Sequence, residues 1–116
     1  MRRLVTAVFI ATFSFAPPVS SKELTVNDVL DNSGESQFFQ AVVYSTWQGL
    51  QWMHIWTETR DGVRNYCQPE KLGMGLDTVR GMVKSYIEDN PADGERASKE
   101  LGLVMIMAAR DTFPCN

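Results

Sequence analysis

The sequence predicts an all-α protein, a small single-domain bundle of four to five helices with one disulfide. Three observations carry that prediction. Apolar residues recur at helical spacing in three long segments, residues that start and stop helices flank those segments, and two cysteines, Cys67 and Cys115, follow a leader of the exported type. A chain of 116 residues fits one domain. With 44% apolar and 22% charged residues it has ordinary globular composition, which excludes disordered and collagen-like classes.

Residues 1–21 read as a signal peptide. Arg2 and Arg3 precede an apolar run over residues 4–15, and Pro17-Pro18-Val19-Ser20-Ser21 follows with small residues at the cleavage position. Cleavage is expected after Ser21, with Ser20 the next best position. The run is shorter than the roughly 20 residues a bilayer-spanning helix needs, so the alternative of an uncleaved anchor is the weaker one. Removing 21 of 116 residues leaves 95, and nine basic residues then face 14 acidic ones for a net charge of −5. No basic stripe remains to neutralise phosphates, so nucleic acid is not an expected partner, nor is a membrane after cleavage. The expected destination is an oxidising compartment outside the cytoplasm, reached by the general secretory route. In such an oxidising compartment Cys67 and Cys115 are expected to pair. A loop of that size, once closed, contributes about 4 kcal/mol on the chain-entropy model.

The elements of the mature chain, residues 22–116, follow in order. Thr25 with Asp28 three residues later has the form of a helix start, and Val26, Val29 and Leu30 give the short helix its apolar side. Asn32-Ser33-Gly34 ends it. Ser36 caps a long second helix to about residue 59, with Phe38, Phe39, Val42, Val43, Gly49, Leu50, Met53 and Trp56 on its expected core face. No Asp, Glu, Lys or Arg occurs between Glu35 and Glu58. The other side carries Gln40, Tyr44, Trp47, Gln48, Gln51 and Ile55, amides and aromatics of the kind found at interface centres. Tyr44, Trp47, Gln48, Gln51 and Ile55 are therefore a candidate subunit contact, unless helices of the same chain bury both faces.

Asp61-Gly62 makes a turn and residues up to Pro69 form a loop. Leu76, Val79, Val83, Tyr86 and Ile87 define a third helix with Asp77 in its first turn, stopped by Asn90-Pro91. A polar connection through Asp93-Gly94-Glu95 leads to a final helix with Ala97, Leu101, Val104, Met105 and Ala108 as its apolar stripe. Arg110 in its last turn suits the negative end of the helix dipole.

Motifs that carry chemistry are few. The sequence holds no Gly-rich phosphate loop, no HExxH and no GxSxG. Two cysteines with a single histidine, His54, make no zinc site, and no CxxC occurs. No metal or cofactor is expected. His54 is expected to be structural, and the acids Glu88, Asp89, Asp93 and Glu95 read as solvated helix ends before they read as a glycosidase pair or a calcium loop.

The C-terminal half resembles a known family. Tyr66-Cys67-Gln68-Pro69, then Leu76, Val79 and Val83, then Tyr86-Ile87-Glu88-Asp89-Asn90-Pro91, small residues around Ala108-Ala109, and finally Phe113-Pro114-Cys115 resemble the Rap/Tai immunity proteins of type VI secretion systems. The resemblance covers residues 66–115, about half of the mature chain. Its specific part is the two cysteine-proline elements. Toward the N-terminus it fades to Thr46-Trp47-Gln48-Gly49, and a further cysteine that many relatives carry there is lacking.

The resemblance implies a small helical periplasmic binder, not an enzyme. Its partner would be a cognate peptidoglycan amidase effector whose active site it occludes, and the protein would act as a homodimer. The connection between the third and last helices is the expected contact, through Glu88, Asp89, Asn90, Asp93, Gly94, Glu95 and Arg96, with its acids facing a basic rim or a catalytic histidine. A small periplasmic stress chaperone and an enzyme acting on cell-wall material through His54 are the competing classes.

Overall fold

In the computed structural model of the chain, residues 23–69 and 72–116 are described. The expected leader, residues 1–21, lies outside them. Five α-helices are present among the described residues: α1 (Val26–Asn32), α2 (Gln37–Asp61), α3 (Leu76–Asp89), α4 (Pro91–Gly94) and α5 (Leu101–Thr112), with a 3-10 turn at Ser98–Glu100 before the last. The all-α prediction holds.

The start of α1 is closed by a reciprocal cap. The Thr25 side chain accepts from the Asp28 backbone N–H at 3.2 Å, while Asp28 accepts from the Thr25 N–H at 2.9 Å. At the other end Ser33 is fully buried. Its hydroxyl donates to the Leu30 carbonyl at 2.6 Å and accepts from Arg80 Nε at 2.7 Å, which ties the end of α1 to α3. Ser36 caps α2 as expected, and that helix runs two residues past residue 59, to Asp61, where Gly62 ends it in the left-handed conformation (φ 65°).

The core gathers α1, α2, α3 and α5 around Val26, Val29, Leu30, Val43, Trp47, Val79, Val83, Val104, Met105 and Ala108, with Tyr66 added from the loop after α2. The inward stripe of α5 matches the expectation from Leu101 onward. Ala97 lies before the helix, in an antiparallel bridge to Thr25. Around that bridge Val26 donates to the Arg96 carbonyl at 2.9 Å and Ser98 to the Leu24 carbonyl at 2.7 Å.

On α2 the expected core face is corrected. Val43 is buried and Phe39, Val42 and Leu50 pack on the core, but Phe38 (70% exposed), Met53 (61%) and Trp56 (58%) face solvent. Trp47, expected on the subunit-contact side, is 1% exposed inside its own chain. The stripe that points inward is Val43, Trp47, Leu50 and His54, spaced four, three and four residues apart as one helix face requires. A helix whose middle carries apolar residues all round and no charge holds too little contrast to set its own rotation. Trp47 turns inward to pack in the core beside the Tyr66 ring, at 5.9 Å between centroids.

Candidate functional site

The Tyr66-Cys67 and Phe113-Pro114-Cys115 elements meet in space. Cys67 and Cys115 are joined by a disulfide with their Cα atoms 5.0 Å apart, and the Cys67 N–H donates to the Phe113 carbonyl at 2.8 Å. The end of α5 is thereby fixed to the loop after α2. One residue earlier, Tyr66 is buried, and its ring stacks on His54 at 4.2 Å with 15° between planes. Burial pushes the Tyr66 hydroxyl up to about 12.

His54 forms part of the wall of a depression of about 460 Å³ together with Gln51, Glu58, Arg64, Tyr66 and Gln68. Its Nε2 lies 3.8 Å from Glu58, which Arg64 engages at 2.8 Å. The sulfur on that wall belongs to Cys67 and is bonded to Cys115, so the lining supplies no thiol or serine nucleophile beside the imidazole. His54 is partly buried and stacked on a core tyrosine.

The α3–α4 connection is built differently from a projecting loop. Asn90 ends α3, its backbone N–H and side-chain Nδ2 both donating to the Tyr86 carbonyl at 3.0 Å. Pro91 then opens α4, where its missing N–H is not needed. Asp93 turns inward: it accepts from the Tyr86 hydroxyl at 2.8 Å and from Arg96 Nε at 2.7 Å. The Arg96 guanidinium, and after it the Tyr86 hydroxyl, hold the Asp93 carboxyl below the usual carboxylate range. Donating that bond to Asp93 raises the Tyr86 hydroxyl in turn. Arg96 reaches on to Glu100 at 3.4 Å.

Gly94 is buried, and a Cβ there would meet the Asn27 side chain at 2.5 Å, so α4 approaches α1 as closely as only glycine permits. Of the residues expected to touch a partner, Asp93, Arg96 and Gly94 are thus occupied within the chain, because the corner needs them to hold its shape. Glu88, Asp89 and Glu95 are exposed, and Asn90 is half-buried. Nothing in the local sequence marks Asp93 as different from Glu95. The signal that separates them is spacing: Tyr86, Asp93 and Arg96 converge only once Asn90-Pro91 turns the chain back on itself.

The expected subunit contact is split in the same way. Tyr44 and Ile55 are exposed, Gln48 is half-buried, and Gln51 donates to Gln68 at 3.3 Å against the loop. Trp47 belongs to the core. What α2 does expose is an apolar hollow of about 500 Å³ formed by Trp52, Met53, Ile55, Trp56 and Thr59.

Among the described residues no group of three or more His, Cys, Asp or Glu is placed to hold a metal ion, and no helix is long and apolar enough to cross a membrane. Compared with known proteins, the chain matches no family model, no curated protein and no solved structure.

Proposed function

We propose that the chain is a periplasmic immunity protein that binds a type VI secreted peptidoglycan amidase and occludes its active site, protecting the cell that makes it. The observation that carries this reading is the braced corner after α3. Tyr86, Asp93 and Arg96 hold the α3–α4 turn from within, and Gly94 seats it on α1, while Glu88, Asp89 and Glu95 stay exposed around it. A rigid acidic corner loses little conformational freedom when it enters a cleft, and its charge complements a basic rim or a protonated histidine. The likeness of residues 66–115 to Rap/Tai immunity proteins supports the same reading, and so does the contact between its two cysteine elements.

In this role the protein performs no turnover and needs no cofactor. The disulfide keeps the end of α5 in place, α5 supports α3, and α3 presents the corner. Export with the leader delivers the protein to the compartment in which such a toxin cuts the cell wall. The test is affinity capture from periplasmic extract under non-reducing conditions, in a strain that also encodes a secreted amidase. Recovery of that amidase in equal amount supports the proposal. A broad mixture of unfolded clients, as a stress chaperone would collect, overturns it.

A further inference from the structure

The depression beside the disulfide is more polar than its place in the fold requires. Gln51, His54 and Glu58, spaced three and four residues apart on α2, line one side of it, and Arg64, Tyr66 and Gln68 from the following loop line the other. Two of these side chains carry buried polar atoms, His54 Nδ1 and the Tyr66 hydroxyl, that have no hydrogen-bond partner among the described residues. Buried polar atoms in folded chains are nearly always paired, and each one left unpaired opposes folding. Apolar residues would close this end of the bundle without that cost. At about 460 Å³ the space is of the size that takes small molecules.

We propose that the depression binds a free α-amino acid in its zwitterionic form. Glu58 and Arg64 select that ligand. One nitrogen of the Arg64 guanidinium lies 2.8 Å from one carboxylate oxygen of Glu58, and both side chains stay partly exposed. A guanidinium presents five N–H groups in a planar fork, and the rest of this fork meets no other acceptor among the described residues. It is the place for the ligand's carboxylate. The second oxygen of Glu58 stands 3.8 Å from His54 Nε2, longer than a hydrogen bond, and is the place for the ligand's ammonium.

The contact between Glu58 and Arg64 decides among charged ligands. The pair sums to zero, so a simple anion or cation would always face one member of like charge. An α-amino acid carries both of its charges on a single carbon, which matches an anion and a cation that already touch. The ends of even a dipeptide stand one more Cα step apart, about 3.8 Å, and match the pair less well. The ligand's side chain would lie against Ile55, Pro69 and the disulfide at Cys67, the apolar part of the lining, which favours an aliphatic amino acid. This function is separate from the proposed toxin binding, whose exposed acids lie on the α3–α4 corner.

It is tested on the oxidised full chain, expressed with its leader, by calorimetric titration with L-leucine and by amide NMR shifts. The expected result is saturable binding of one leucine per chain, with shifts centred on Gln51, Glu58, Arg64 and Gln68. Leucine amide, N-acetyl-leucine and leucyl-leucine should each bind at least about tenfold more weakly, the weight of one lost charge-assisted hydrogen bond. Arg64→Met and Glu58→Gln should weaken leucine binding by a similar factor and leave the Tm within a few degrees, since an exposed ion pair adds little to stability. Glu95→Gln, away from the depression, should bind as the parent does. No saturation at millimolar leucine, leucine amide bound as tightly as leucine, shifts centred elsewhere, or an Arg64→Met variant that binds like the parent overturns the proposal.

Discussion

The hydroxyl of Tyr86 donates to the carboxylate of Asp93 at 2.8 Å, while Arg96 holds the other oxygen of the same group at 2.7 Å. An acid that the sequence places on an exposed connection is thereby the clasp of a helix corner. Its lowered pKa sets the sign of a pH effect. Asp93 contributes stability above the ordinary carboxylate value of about 3.9, and that contribution fades as pH falls through its lower folded value. Thermal unfolding of the parent should therefore show a falling Tm below about pH 4. Asp93→Asn should start from a lower Tm at pH 7 and fall less steeply with acid.

Trp47 and Trp52 are five residues apart on one helix and should behave as opposites. Trp47→Ala empties the core beside Tyr66 and should cost about 3–5 kcal/mol. Trp52→Ala should cost the folded chain under about 0.5 kcal/mol. Urea denaturation of the two variants at a concentration where copies do not associate checks the rotation of α2 directly.

The Tyr66 hydroxyl is buried and has no hydrogen-bond partner among the described residues. Its raised pKa means that Tyr66 supports the fold fully below about pH 10 and loses that support as pH climbs toward about 12. Tyr66→Phe removes a desolvated hydroxyl without emptying the site, so neutral-pH stability should be unchanged or higher by up to about 1 kcal/mol. Alkaline unfolding, followed by circular dichroism, should shift to higher pH in that variant.

Gly94 and Asn27 should couple. Gly94→Ala drives a methyl group onto the Asn27 side chain and should cost about 1–3 kcal/mol. Asn27→Ala clears that space, so the double variant should be less destabilised than the sum of the two single ones. A double-mutant cycle on thermal unfolding measures the difference.

Opening the Cys67–Cys115 bridge should lower stability by about 4 kcal/mol, since it closes a loop spanning α3, α4 and α5. Cys67→Ser and Cys115→Ser should match each other and the reduced parent in denaturant midpoint.

Much of the fold is legible in the sequence because its punctuation is local. Thr25 with Asp28, Ser36, Asp61-Gly62 and Asn90-Pro91 mark helix ends by chemistry that acts within one turn, and each holds in the structure. The rotation of α2 is not legible, since Phe38, Trp47, Met53 and Trp56 are all large and apolar and only packing against Tyr66 and α5 tells inside from outside. The corner is half legible. Its acids are plain in the sequence, but which of them faces solvent depends on Tyr86, seven residues before Asp93, meeting it across a proline turn.

The most direct test of the proposed role is a titration of the secreted amidase with the oxidised protein, read by peptidoglycan cleavage. Occlusion predicts loss of activity at one protein chain per enzyme. Glu88→Lys with Glu95→Lys should weaken that inhibition at least tenfold while leaving the Tm within a few degrees of the parent. Full amidase activity at excess protein, or inhibition unchanged by the charge reversals, would contradict it.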